Sequence, residues 1–226
     1  MSFNLKKSVV ALTVLAAGIV SSVVQADEPG TADGEWHHYT GDIKGSRYSP
    51  LDQIDADNFE DLELAWSFST KNLGTRAEYK LEVTPIMVDG VLYATAGTRR
   101  TAIALDGATG ELMWMHSMRE GLRGGMAPRQ LSGRGLSYWT DGNGDDRVYY
   151  VTTGYRLIAL NAHTGVPIDS FATDGNGILD LKIGAVQGNE VQIDLVTGEI
   201  GLHATPTVVG DMIIIGSAMK EGMTID

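Results

Sequence analysis

The sequence predicts an all-β fold assembled from propeller blades. Two observations carry that expectation. The apolar runs after residue 27 are short, rich in β-branched and aromatic residues, and cornered by glycine, and none keeps a long 3.6-residue apolar period. The runs also recur along the chain at a spacing of about 60 residues, the size of one blade. Glycine supplies 28 of the 226 residues, nearly twice its usual share of about 7%, as a chain with many corners requires.

Taken in order, the chain opens on an export signal. Lys6 and Lys7 form a positive region, Ser8 to Val24 is uncharged, and Val24-Gln25-Ala26 fits a cleavage site ahead of Asp27 and Glu28. An uncleaved membrane anchor is the other reading, with the uncharged run at the lower limit of about 17 residues for a span. Without a cysteine near this site a lipoprotein anchor is excluded. Removing residues 1–26 leaves a domain over 27–226 with 15 basic and 29 acidic residues, a net charge of −14, and predicts a bacterial periplasm. Asp57–Leu64 is predicted as the one short helix, with Asp55 or Asp57 as N-cap.

Strands follow. Ile86–Val88 and Val91–Ala94 flank Asp89-Gly90, a two-residue hairpin signal. Val148–Val151 follows a Gly/Asp turn, Leu157–Leu160 follows Gly154, and Val208-Val209 and Met212–Ile215 flank Gly210-Asp211. Thr84-Pro85-Ile86-Met87-Val88-Asp89-Gly90 resembles Thr205-Pro206-Thr207-Val208-Val209-Gly210-Asp211, 121 residues on. Ala104-Leu105-Asp106-Gly107-Ala108-Thr109-Gly110 resembles Ala159-Leu160-Asn161-Ala162-His163-Thr164-Gly165, 55 residues on, with a fainter copy at Asp194–Gly198. Blades bury their faces only against neighbours, and about three of them do not close a ring.

Composition narrows the function. A net charge of −12 over the whole sequence repels phosphate backbones, so nucleic acid is not expected as a partner. With no cysteine there is no disulfide, thiol nucleophile or Cys-based zinc site. Asp141–Asp146 imitates the start of a calcium-binding loop, but Asp146 stands where Gly is required and Thr152 where Glu is, so a tight turn is expected.

At Ala104-x-Asp106-x-x-Thr109-Gly110-x-x-x-Trp114 the sequence resembles the tryptophan-docking motif of the quinoprotein dehydrogenases, which use pyrroloquinoline quinone (PQQ). The copy at 159 has Asp169 where the tryptophan would fall. The run from Trp36 through Arg47-Tyr48-Ser49-Pro50-Leu51-Asp52-Gln53-Ile54 to Leu64-Ala65-Trp66 is similar to the opening of the mature family proteins. The resemblance spans about 36 to 226. It implies an eight-bladed propeller with PQQ and Ca²⁺ on its axis, of which this chain holds the first three or so blades.

Site residues come from the same resemblance. Glu82, in Glu-x-Thr-Pro, matches a glutamate that hydrogen-bonds PQQ; read alone, it is a solvated strand-end carboxylate. Arg134, in Gly133-Arg134-Gly135, matches the arginine that faces the quinone oxygens; read alone, it is a surface arginine in a glycine turn. His203 occupies the place of a polar residue, usually threonine, that touches PQQ. Ser217, Ala218 and Met219 match a Gly-Ser loop that passes close to PQQ, and Glu221 matches a carboxylate ligand of Ca²⁺. Part of the family covers the cofactor with a ring of two adjacent cysteines; here those positions are Pro128-Arg129, where Arg129 either stacks on the cofactor or is a surface residue.

The resemblance therefore implies a periplasmic PQQ-dependent dehydrogenase that oxidises an alcohol or aldose by hydride transfer to the quinone. Ca²⁺ serves as Lewis acid, an aspartate expected beyond Asp226 as base, and ubiquinone or a cytochrome c as electron acceptor. Because the base lies beyond this stretch, residues 27–226 alone are expected to be inactive and aggregation-prone. The competing reading is a non-catalytic PQQ-repeat propeller that acts as a scaffold in envelope protein assembly, which would have no reason to keep Glu82, Arg134 and Glu221 together.

Overall fold

The computed structural model describes residues 30–172, 175–181, 196 and 200–219. The predicted export signal, Glu221 and all but Val196 of the third repeat turn lie outside them. Two four-stranded antiparallel meanders dominate. The first blade is β1 (Ile86–Val88), β2 (Val91–Ala96), β3 (Thr101–Asp106) and β4 (Leu112–His116); the second is β5 (Ser137–Thr140), β6 (Asp146–Val151), β7 (Arg156–Asn161) and β8 (Ile178–Asp180). A third blade is begun by β9 (Ile200–Gly201), β10 (Thr207–Val209), β11 (Met212–Ile214) and β12 (Ala218–Met219), with β10 paired to β11 and β9 to β12. The expected partial propeller is therefore present. Between β4 and β5 lies one short helix, α1 (Gly121–Gly125).

The hairpins form where the sequence places them. Asp89 and Gly90 both take left-handed φ, 50° and 76°, the geometry of a type I′ turn, and pair Val88 with Val91. The Asp141–Asp146 stretch is a tight turn, with the Asp141 carboxylate accepting from the amides of Asn143 and Asp145.

Alternation of apolar and polar residues is weak in β3 and β7 because both faces of these strands are covered. β3 is buried from Thr101 to Leu105, and β7 from Leu157 to Leu160. One face of the first sheet packs Tyr93, Ala104 and Trp114 against Val148, Tyr150, Ile158 and Leu160 of the second. The other face of the second sheet packs Tyr149 and Leu157 against Leu202, Val208 and Ile213. The outer face of the first sheet is covered by Trp66, Phe68, Leu73 and Val83.

The repeated turn explains the docking motif. The Asp106 carboxylate accepts from the amides of Ala108 and Thr109 and from the Thr109 hydroxyl; Asn161 does the same for His163 and Thr164. Each turn ends in a left-handed glycine, Gly110 (φ 71°) and Gly165 (φ 68°). Trp114 lies on Gly165 and donates its Nε1–H to the Ala162 carbonyl at 2.8 Å. Trp66 repeats this on the preceding turn: it lies on Gly110 and donates to the Gly107 carbonyl at 3.1 Å. Sequence reading assigned this docking role to Trp114 and missed it in Trp66. Asp169, at the next such position, is exposed.

One predicted element is absent. In place of a helix over Asp57–Leu64 there is a single 3₁₀ turn, Phe59–Asp61. Asp55 closes a local turn ahead of it, accepting from the amides of Asp57 and Asn58, while Asn58 at the N-cap of the 3₁₀ turn makes no side-chain cap bond. However, Phe59, Leu62 and Leu64 are all exposed, so no buried apolar face offsets the cost of helix nucleation.

Candidate functional site

The segments leading into β1, β5 and β10 meet at one end of the blades, and each carries one predicted site residue. Glu82 stands four residues before β1, Arg134 three before β5, and His203 four before β10. Main-chain hydrogen bonds tie the three together. The Thr84 amide donates to the Arg134 carbonyl at 3.1 Å, and the Arg134 amide to the His203 carbonyl at 3.0 Å.

The glycines around Arg134 follow from this close approach. A Cβ on Gly135 would sit 2.9 Å from the Thr84 carbonyl oxygen, and one on Gly133 would sit 2.8 Å from Nε of Arg100. Both glycines also hold positive φ, 129° and 69°. Arg134 is exposed within an otherwise buried run from Leu131 to Ser137, so its guanidinium is directed off the blade ends.

These residues line a cavity of about 560 Å³ whose walls also carry Arg76, Tyr79, Lys80, Pro128, Arg129 and Leu131. Pro128 and Arg129 are thus in the wall. Four cationic side chains, Arg76, Lys80, Arg129 and Arg134, surround one carboxylate, Glu82, in a chain of net charge −12. Glu82 is bridged on both sides: Lys80 Nζ is 3.0 Å from Oε1, and His203 Nε2 is 3.0 Å from Oε2. The Lys80 hydrogen bond, then the charges of Lys80 and Arg134, hold its carboxyl below the usual range. Burial and then the nearby Arg100 cation push the His203 imidazole down. Since a carboxylate only accepts, the neutral imidazole carries its proton on Nε2 and donates it to Glu82. The Tyr39 hydroxyl, 3.1 Å from Nη1, keeps the Arg134 guanidinium firmly protonated.

The Gly-Ser loop residues are placed apart from these three. Ser217 is exposed, Ala218 pairs with Gly201 and Met219 with Ile200 in the β9–β12 ladder, and neither Ser217 nor Ala218 is in the cavity wall. Glu221 lies outside the described residues. Among the described residues no three carboxylate or imidazole groups converge as a metal site.

A family model described as the glucose/ethanol/alcohol dehydrogenase β-propeller domain with PQQ matches residues 36–226. The chain belongs to that family. It is 38% identical over 147 residues to the dehydrogenase subunit of the quinone alcohol dehydrogenase of Gluconobacter oxydans (strain 621H), covering 64% of this chain and 18% of that one. It is 37% identical over 163 residues to the quinohemoprotein alcohol dehydrogenase ADH IIB of Pseudomonas putida, covering 72% and 22%. Among solved structures, the quinohemoprotein alcohol dehydrogenase of Comamonas testosteroni superposes with a TM-score of 0.62 at 27% identity, over 84% of this chain and 24% of that one. The chain thus spans about a fifth of the length of the curated relatives it matches.

Sequence reading missed four residues that complete the site: Arg76, Lys80, Tyr39 and the buried Arg100. Lys80 and Arg76 fall in a segment without strand or helix, where no periodicity marks them. Arg100 carried a weak signal, since the 55-residue repeat aligns it with Tyr155 at the same corner of the next blade.

Proposed function

We propose that this chain forms the first part of a periplasmic PQQ-dependent dehydrogenase that oxidises an alcohol or aldose and passes the electrons to ubiquinone or a cytochrome c. The observation that carries this reading is the cationic cavity at the blade ends, to which three successive pre-strand positions contribute Glu82, Arg134 and His203. PQQ is a planar quinone with three carboxylates, and a wall of four cations around a single carboxylate suits it. The cavity also falls in the usual range for small-molecule sites, about 300–1,000 Å³.

When bound, PQQ supplies the hydride-accepting quinone. The chain's own residues do the rest. Arg76, Lys80 and Arg129 hold anionic groups, and Arg134, permanently charged, faces developing negative charge as a fixed donor. Glu82 remains ionised and accepts a hydrogen bond at an oxygen oriented by Lys80 and His203. Because His203 is neutral, it orients Glu82 without adding a further charge. The Ca²⁺ of the family reading falls to Glu221.

The test uses the complete gene product, stripped of cofactor and titrated with PQQ. Arg134→Ala is expected to cut turnover by about 100-fold or more, the usual effect of removing a donor to developing charge, while retaining measurable PQQ binding. Glu82→Gln is expected to weaken PQQ binding. Unchanged turnover and unchanged PQQ affinity in both variants would refute the assignment.

A further inference from the structure

Arg100 lies beneath the cavity wall, 3% exposed, at the corner between β2 and β3, with a left-handed φ of 52°. Every hydrogen bond found for its guanidinium among the described residues ends on a main-chain carbonyl. Nε donates to Leu131 at 3.2 Å and Nη2 to Arg129 at 2.9 Å. Nη1 reaches Val151 at 3.1 Å, Thr152 at 3.4 Å and Leu202 at 2.7 Å. The side chain therefore leaves the first blade, crosses the second and ends on the third. Burial lowers its pKa to about 10, so it remains a cation at neutral pH.

Glu78 holds the same loop with the opposite polarity. Its carboxylate accepts from the Ser132 amide and the Gly97 amide, both at 2.9 Å. Between them the two side chains take the carbonyls of residues 129 and 131 and the amide of 132. Gly133 packs directly on the Arg100 guanidinium. Each cavity residue on this side is thus bonded itself or adjoins a bonded or packed residue: Arg129 through its own carbonyl, Arg134 through Gly133, and His203 through Leu202.

Blade architecture does not demand an arginine here. In the second blade the equivalent corner, also left-handed at φ 64°, holds Tyr155, whose hydroxyl reaches the Gly216 carbonyl at 3.3 Å. The same backbone corner is therefore satisfied by a largely apolar side chain. A buried cation whose hydrogen bonds found among the described residues all end on carbonyls, with only the nearby Glu120 charge to offset it, is an expensive way to join blades. The surplus donors of Arg100 go to the cavity loop, and that is the difference between the two corners.

We propose that Arg100 and Glu78 are a positioning pair for the cofactor wall, which fixes Arg129, Arg134 and His203 in place and so sets PQQ affinity without touching the cofactor. The proposal rests on the reading of the cavity as a PQQ site. It is tested in the complete gene product with Arg100→Lys, Arg100→Tyr and Glu78→Gln, each titrated with PQQ after cofactor removal. Each is expected to weaken PQQ binding about tenfold. In a background already carrying Arg129→Ala and Arg134→Ala the loss is expected to shrink to under about twofold, because coupled residues are not additive. Amide hydrogen exchange over residues 129–134 of the PQQ-free protein is expected to quicken in all three variants. Glu78→Gln keeps the side-chain volume and decides the matter if the Arg100 variants fail to fold. Parental PQQ affinity in the variants, or equal losses in both backgrounds, would overturn the pair and leave the cavity reading intact. Failure of the parent to bind PQQ would overturn the cavity reading instead, and unchanged exchange over 129–134 would then overturn the pair as well.

Discussion

Gly165→Ala tests whether the blades are held by an indole seated on a turn. The substitution acts in two ways. Gly165 has φ 68°, and an L side chain there costs about 1–2 kcal/mol. The added Cβ would also stand 2.5 Å from Cε3 and 2.6 Å from Cδ2 of Trp114, whereas carbon atoms in contact sit about 3.5–4.0 Å apart. The indole must therefore retreat by about 1 Å. That movement breaks its 2.8 Å bond to the Ala162 carbonyl, worth about 1 kcal/mol, and disturbs a packed interface at about 1–3 kcal/mol. Gly142→Ala is the control, since Gly142 has φ 71° but nothing within 4 Å of its built Cβ, leaving only the backbone cost. Gly165→Ala is expected to lose about 2–4 kcal/mol more than Gly142→Ala. The difference is read from urea unfolding followed by tryptophan emission. Equal losses for the two variants would show that Trp114 is not clamped on this turn.

Two further outcomes follow from the sequence and the site. Burial lowers the pKa of His116 from 6.5, and its Nδ1 is 2.8 Å from the Tyr150 hydroxyl. The unfolded state then binds the proton first, so stability is full above 6.5 and falls as pH drops below it; His116→Gln is expected to flatten that decline below about pH 6.5, with His203 contributing in the same direction. N-terminal sequencing of exported material is expected to begin at Asp27, and a mature chain that retains Lys6 and Lys7 would point to an anchor.

Much of the fold was legible because its turns use side chains with a single mechanical purpose. Asp89-Gly90 demands left-handed φ at consecutive positions, and Asp106-x-x-Thr109-Gly110 builds its own acceptor, donor and corner. Such local chemistry survives in the sequence. The helix expected near Asp57 failed for the complementary reason: Asp55 bonds the amides that follow it, but whether Leu62 and Leu64 find a surface to cover is not a local property. The site divides in the same way. Glu82, His203 and Arg134 came from the family resemblance, carried by the Glu-x-Thr-Pro context, the repeated Thr-Pro and the paired glycines. Arg100 and Glu78 were invisible as a pair, since their meeting point is a loop about 30 to 50 residues away whose approach only the packed blades create.

The two seated tryptophans also impose an order in time. Trp66 and its carbonyl acceptor are 41 residues apart, and Trp114 and its acceptor 48; in each case the indole comes first. At synthesis rates of about 5–20 residues per second, each tryptophan waits roughly 2 to 10 s for the turn that will receive it. Of these two indoles the growing chain therefore carries one unseated at a time, released from solvent as the following meander closes. The tryptophan acts as a checkpoint: a blade is finished only when its successor has been made. A translational pause placed within the 48 residues after Trp114 would lengthen the exposure of one identifiable hydrophobic group, the interval in which a chaperone has most to hold.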